Sequence, residues 1–323
     1  MTVTFPRRIA DLSAAWLSEA LRRDVGTYRV ERIGAGRGNL GAIARIEFTD
    51  GSAPLVAKFV NDVSENLAMG LRSGLFEREV NFYRHLAPHL EVATPTCHGA
   101  WYDDRTGHFL ILLDHVSGTD ELDAVQGIGV HRTRHVLREA ARLHAAGDHL
   151  LGETWMQDMS YQPRLDNLTS MIARAAPLFA DSFPDLAPAL PPNLGDALED
   201  LMAAMATLPP TIVHGDLKPD NLVATRDGIV FLDWQAVGYG PPAWDVANIM
   251  LSCLTIDDRR AYESELLAEY PHDLTGYGHA LLFGLVIAVS LTLLGDPAEP
   301  RRGRLIRTTA QRAIAALDDH GIV

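Results

Sequence analysis

Eight consecutive residues constrain this chain more than any other feature. They are His214-Gly215-Asp216-Leu217-Lys218-Pro219-Asp220-Asn221, and Leu232-Asp233-Trp234 follows shortly after. Between the two, Leu222-Val223 and residues 229–232 read as short strands around an Asp227-Gly228 turn. A hairpin returns the chain, so Asp233 can face the loop that carries Asp216 and Asn221. Phosphoryl transfer from a nucleotide asks for few groups: a carboxylate to orient a hydroxyl and take its proton, oxygen ligands for Mg²⁺, and a cation near the transferred charge. Asp216 suits the base, and Asn221 and Asp233 suit the metal.

Composition narrows the partners. The chain has 323 residues, with 28 Lys and Arg against 42 Asp and Glu, a net charge of −14. Nucleic-acid binding needs a basic face, so that class is disfavoured. Cys97 and Cys253 are too few for a disulfide framework or a four-cysteine zinc site, and fit reduced residues of a cytoplasmic protein. The first residues carry no apolar run after their charges, so no signal peptide is expected. The apolar stretch 280–294 is shorter than the ~20 residues a bilayer span needs, and is expected to be a buried helix rather than a membrane segment.

Ahead of the eight-residue segment the pattern is that of a sheet. Residues 30–33, 42–48 and 55–60 read as strands, the second by period-two alternation of Ala42, Ala44, Ile46 and Phe48. A glycine cluster from Gly34 to Gly41 separates the first two. Residues 10–24 and 75–86 show helical spacing, and 101–102 and 109–113 read as further strands. Asp114-His115-Val116-Ser117-Gly118 reads as a hinge. Beyond it, residues 130–146, 194–205 and most of 244–318 are expected to be helical, while 163–192, rich in proline and alanine, has no firm assignment.

These motifs together resemble the aminoglycoside phosphotransferase and choline kinase superfamily, whose fold is that of the protein kinases. Members carry an H-G-D-x-x-x-x-N loop followed by D-W or D-F, as His214 to Asn221 and Asp233-Trp234 do here. The resemblance implies an α+β, protein-kinase-like bilobal fold. It would have an N-terminal antiparallel sheet lobe with one main helix over residues 1–113, a hinge at 114–118, and a larger, mostly helical lobe over 119–323. It implies that Asp216 is the catalytic base, that Asn221 and Asp233 bind Mg²⁺, and that Lys218 reaches the γ-phosphate. Gly36, Gly38 and Gly41 match G-x-G-x-x-G. A strand rather than a helix follows them, which is the kinase arrangement for closing backbone amides over phosphates and not the dinucleotide-binding one. Lys58, in Val56-Ala57-Lys58, would contact the α- and β-phosphates. Its ion-pair partner would be Glu77 or Glu79 on the next helix, with Glu79 the better fit. Backbone around Asp114, His115 and Val116 would receive adenine. Asp245 and His214 would support the catalytic loop structurally, and His144 would be a core residue.

Departures from protein kinases favour a small-molecule substrate. Gly215 replaces the arginine of H-R-D, Trp234-Gln235 replaces Phe-Gly, and eleven residues separate Asp233 from Asp245, too few for an activation segment. The expected activity is therefore ATP-dependent O-phosphorylation, with GTP an alternative donor. The hydroxyl acceptor would be an antibiotic such as an aminoglycoside, a sugar or an amino alcohol, capped by the insert at about 150–205. The competing readings are a catalytically silent nucleotide-binding module and a protein kinase. Weaker candidates are the spaced pair His131 and His135 for a metal, the basic run Arg301, Arg302, Arg304 and Arg307 for an anion, and Asp120, Glu121, Asp123, Trp155, Asp158 and Tyr161 for a cationic acceptor.

Overall fold

The computed structural model describes residues 5–34, 41–60, 64–146, 151, 153–159 and 162–322. The chain divides into two compact units, one of residues 1–119 with 225–237, the other of residues 120–224 with 238–323.

In the first unit, α1 (Ala14–Leu21) precedes β1 (Tyr28–Ile33), β2 (Gly41–Phe48) and β3 (Leu55–Val60). Then come α2 (Ser64–Ser73), α3 (Leu75–Asn81), β4 (Cys97–Tyr102) and β5 (Phe109–Asp114). The five strands form one antiparallel sheet in the order β1-β2-β3-β5-β4. Period two divides its side chains. Leu55, Ala57 and Phe59 of β3 and Leu110 and Leu112 of β5 join Leu17 of α1 in one buried cluster. Trp16 of α1 meets Trp101 of β4 edge to face at 5.0 Å. The intervening positions, Lys58 among them, therefore point to the opposite face, where Phe76 of α3 stacks on Phe109. A lysine in an otherwise apolar central strand is thus aimed at α3. β5 runs through Asp114, one residue past the strand expected at 109–113, and the first unit continues to Thr119.

In the second unit, α4 (Val130–His144), β6 (Gln157–Asp158), α5 (Gln162–Ser182) and α6 (Leu194–Met205) lead to β7 (Thr211–Val213) and β8 (Leu222–Ala224). The chain then supplies β9 (Ile229–Phe231) to the first unit before returning with β10 (Gly238–Gly240) and α7 (Ala243–Cys253). Four helices complete it: α8 (Ile256–Ala268), α9 (Tyr277–Ala280), α10 (Leu282–Leu291) and α11 (Pro300–Asp319). β10 pairs antiparallel with β7 and parallel with β6. The unassigned proline-rich stretch is mostly α5, which contains Pro177. Its buried Ile172, Ala175 and Phe179 recur on one face, so tertiary burial overrides the local cost of proline. The apolar stretch near 280–294 is a buried helix, α10, and among the described residues no helix is long and apolar enough to cross a membrane.

The segment 225–237 belongs to the first unit for reasons that can be named. Phe231 N–H donates to the Ala93 carbonyl at 2.9 Å. The Trp234 indole donates to Thr94 Oγ1 at 3.0 Å and stacks on Phe82 with centroids 3.9 Å apart. Arg78 Nε donates to the Gln235 carbonyl at 3.0 Å.

Candidate active site

Lys58 is the centre of the first constellation. Its Nζ lies 2.8 Å from Glu79 Oε1, 2.7 Å from Oε2, and 2.9 Å from Asp233 Oδ1. Glu79, not Glu77, is the partner. Lys58 and Glu79 are buried, whereas the Asp233 side chain is 39% exposed. Burial opposes the charge on Lys58, but Asp233 and Glu79 outweigh it and raise its pKa to about 12. Burial alone would keep Glu79 neutral, while contact with the Lys58 ammonium favours its charged form, and the short contacts to both oxygens are those of an ion pair. Asp233 adopts φ +61°, the left-handed region that non-glycine residues seldom occupy. The contacts of Trp234 and Gln235 hold the turn that imposes it. Of the glycine loop, Gly36 and Gly38 lie outside the described residues. Gly41 opens β2 beside the lysine: a Cβ there would come 3.3 Å from the Phe59 carbonyl and 3.5 Å from Lys58 Cε.

The second constellation is the loop after β7. Asp216 accepts from Lys218 Nζ at 2.7 and 3.0 Å and from Asn221 Nδ2 at 2.9 Å. Asn221 Nδ2 also donates to the Asp216 carbonyl at 2.9 Å, so one amide folds the loop back on the carboxylate. Lys218 is thus placed on Asp216 itself. The loop is fixed from behind by Asp245, in the first turn of α7. Its Oδ2 accepts the His214 N–H at 2.7 Å and its Oδ1 the Gly215 N–H at 2.9 Å. Gly215 turns at φ +80°, which a side chain would resist. Asp245 is fully buried, which opposes its ionisation, yet His144 and the His214 N–H hold its carboxyl below the ordinary value. His214 is also buried, and its Nδ1 accepts the Asp216 N–H at 3.3 Å.

Asn221 and Asp233 offer hard oxygen donors, an amide and a carboxylate. Mg²⁺ keeps several waters and takes one or two protein ligands plus phosphate oxygens, and each of these two donors, taken by itself, is of the kind it accepts. Among the described residues no group of three His, Cys, Asp or Glu is assembled to hold a metal, which sets aside His131 and His135, stacked at 4.8 Å on α4. At the expected hinge, the Asp114 N–H donates to the Thr96 carbonyl at 2.9 Å and the His115 N–H to the Pro54 carbonyl at 3.1 Å. Those two amides are therefore spent, and of the expected three only Val116 keeps its N–H as a candidate donor to a base.

The weaker candidates fare unevenly. Arg301 reaches Asp123 at 3.5 Å and Asp220 at 3.4 Å, and Arg307 pairs with Asp185, so these arginines face carboxylates rather than an anion site. Asp120 pairs with Arg132. Asp158 borders a small cleft with Met159, Met205, Leu208 and Tyr239, while Tyr161 lies outside the described residues. Sequence reasoning missed three contributors: Arg78, Phe82 and Tyr270. The first two lie beside Glu79 on the predicted helix, where a buried cation and an aromatic could have been flagged. Tyr270 carries no local signal. His144, expected as core, is buried but makes a polar contact, its Nε2 lying 3.1 Å from Asp245 Oδ2.

Comparison with known proteins agrees with this geometry. The sequence model of the Phosphotransferase enzyme family, APH, matches residues 38–281. No curated protein sequence matches the chain. Among solved structures, amicoumacin kinase hAmiN in complex with AMP-PNP, Ca²⁺ and Ami superposes with a TM-score of 0.59 at 14% identity, covering 96% of each chain. Choline kinase LicA from Streptococcus pneumoniae gives 0.55 at 14% identity over 91% of this chain and 98% of that one. Macrolide 2'-phosphotransferase MphH from Brachybacterium faecium gives 0.50 at 19% identity over 90% and 95%. The fold is therefore α+β and kinase-like, and since the family model spans most of its length, this chain belongs to the APH phosphotransferase enzyme family.

Proposed function

We propose that this protein transfers the γ-phosphate of ATP to a hydroxyl of a small molecule. The observation that carries the reading is the Asp216 carboxylate, held by Lys218 and Asn221 on a loop that Asp245 fixes from behind. Asp216 orients the acceptor hydroxyl and accepts its proton as the oxygen attacks. Lys218 balances charge beside it. Lys58, held in place by Glu79, grips the α- and β-phosphates, and Gly36, Gly38 and Gly41 let backbone amides approach them. Asn221 and Asp233 would hold Mg²⁺, which when bound draws charge from the β- and γ-phosphates. Asp114, His115 and Val116 line the adenine position, with carbonyls and the Val116 amide available for reading the base. His214 and Asp245 keep the loop in shape. Residues 1–113 with 225–237 form the nucleotide lobe, 114–118 the hinge, and the remainder of 119–323 the catalytic and acceptor lobe. Positioning and charge stabilisation supply most of the acceleration.

The acceptor is a small molecule because the superposable proteins are named for amicoumacin, choline and macrolides. A net charge of −14 favours a cationic one, and the cytoplasm supplies the nucleotide. The test is acceptor-dependent nucleotide consumption. The protein, Mg²⁺ and ATP or GTP are offered aminoglycosides, macrolides, other antibiotics, sugars, choline and ethanolamine. Mass spectrometry then seeks a gain of one phosphate. A product establishes the reaction and names its acceptor. Nucleotide binding without any product favours a silent module, and failure to bind nucleotide ends the kinase reading.

A further inference from the structure

Behind the Asp216 loop lies a buried line of polar groups that reaches well past Asp245. Tyr270 follows α8. Its hydroxyl hydrogen-bonds Nδ1 of His144, the last residue of α4. Nε2 of the same ring lies 3.1 Å from Asp245 Oδ2. Asp245 in turn accepts the N–H groups of His214 and Gly215, the two residues before Asp216. The His144 and Asp245 side chains are inaccessible to solvent and Tyr270 is buried.

We infer that Tyr270 is a positioning residue: its hydroxyl fixes the proton of His144 on Nε2, and thereby fixes the carboxylate that holds the catalytic loop. The direction of the bond to Asp245 follows from the groups themselves. Asp245 is held ionised, so it only accepts, and the proton on the facing nitrogen must belong to His144. If the ring carries that one proton alone, it presents a lone pair at Nδ1; an imidazolium would instead donate from both nitrogens, and the proton on Nδ1 tells the two apart. Burial raises the Tyr270 phenol, which keeps its proton and donates it to that lone pair. Every donor then meets an acceptor from Tyr270 to the loop. In the other tautomer a bare Nε2 lone pair would face the carboxylate, and the two would repel.

Packing alone does not account for the hydroxyl. The end of α4 is already tied to β7, because Thr211 Oγ1 donates to the His144 carbonyl at 2.7 Å. His272 packs 6.4 Å from His144 and 5.7 Å from Tyr270, but its own Nε2 is bonded to the Ala141 carbonyl at 2.8 Å. The hydroxyl therefore acts on the ring, not on the backbone that carries it. The catalytic consequence rests on the transferase reading above. The tautomer and its effect on the loop do not.

The full chain labelled with ¹⁵N tests this, with His144 signals assigned by their loss in His144→Gln. In the wild type, Nδ1 should be unprotonated and hydrogen-bonded and Nε2 protonated. A proton on Nδ1 would overturn the inference, whatever any variant does. Tyr270→Phe keeps the aromatic ring and removes one oxygen. It should mix the His144 tautomers and speed exchange of the His214 and Gly215 amides about tenfold. With the acceptor found above, its kcat should fall about tenfold while KM for Mg²⁺-ATP stays within about twofold. Unchanged ring signals and amide exchange in Tyr270→Phe would overturn it, even if activity fell, because the loss would then be one of packing. A wild type that transfers no phosphate would sink the transferase reading and leave the ring and amide results to decide this one.

Discussion

At Lys58 charges meet side chain to side chain: one ammonium between two carboxylates. At Asp216 the chain is held mainly through its backbone, by a buried carboxylate that grips two peptide N–H groups and an asparagine that folds the loop onto itself. The first arrangement can in principle be replaced by apolar groups of similar size, since removing both charges also removes the burden of burying them. The second cannot, because peptide N–H groups cannot be deleted and would remain unsatisfied. Function and stability should therefore separate at Lys58 and stay coupled at Asp245.

The sharpest way to break this contrast is at Lys58. Lys58→Met leaves Glu79 buried without its cation and should cost about 3–5 kcal/mol in urea unfolding. Lys58→Met combined with Glu79→Leu should recover most of that loss while Mg²⁺-ATP binding, read by calorimetry, remains absent. A double variant no more stable than the single one would show that the cluster is not an exchangeable unit. Asp216→Asn comes next. It should lower phosphoryl transfer by a factor of ~10² or more while the unfolding midpoint and nucleotide affinity hold. Equal turnover in that variant would remove Asp216 as the base.

How much of this was readable beforehand also differs between the two regions. Lys58, Glu79 and Asp233 lie far apart in sequence, yet each sits in a recognisable local setting: a central strand, the following helix, the end of a hairpin. The family resemblance aimed Lys58 at the next helix, and the alternation of β3 and β5 in the structure is what carries it there. Strands β6 and β10 were not readable, because two or three residues show no period and their pairing is decided by tertiary contact. Helix α5 was hidden by Pro177, whose cost the buried face offsets. Around Asp216, the loop itself was legible but the polar line behind it was not. Tyr270 and His144 are 126 positions apart, and nothing local to Ala268-Glu269-Tyr270-Pro271 hints at a partner.

The smallest effect, and the one that divides the regions by pH, is expected at Asp245. Asp245→Asn keeps the size but loses the charge and turns one accepting oxygen into an NH₂ that faces an N–H donor, at a cost of about 2 kcal/mol near pH 7. In the folded wild type its carboxyl titrates below the ordinary 3.8. A lowered acid stabilises the fold above its unfolded value, and that contribution is lost as pH falls through the folded one. The gap between wild type and Asp245→Asn should therefore be constant from pH 7 to about 5 and narrow below about 4. Lys58 has the opposite sign. Raised to about 12 from 10.5, it stabilises at and below 10.5 and loses its contribution as pH climbs toward 12. Urea unfolding of both variants across the pH range would thus separate the two regions on opposite flanks. A gap at Asp245 that persists unchanged to pH 3 would mean that the loop is held by shape and not by the carboxylate's charge.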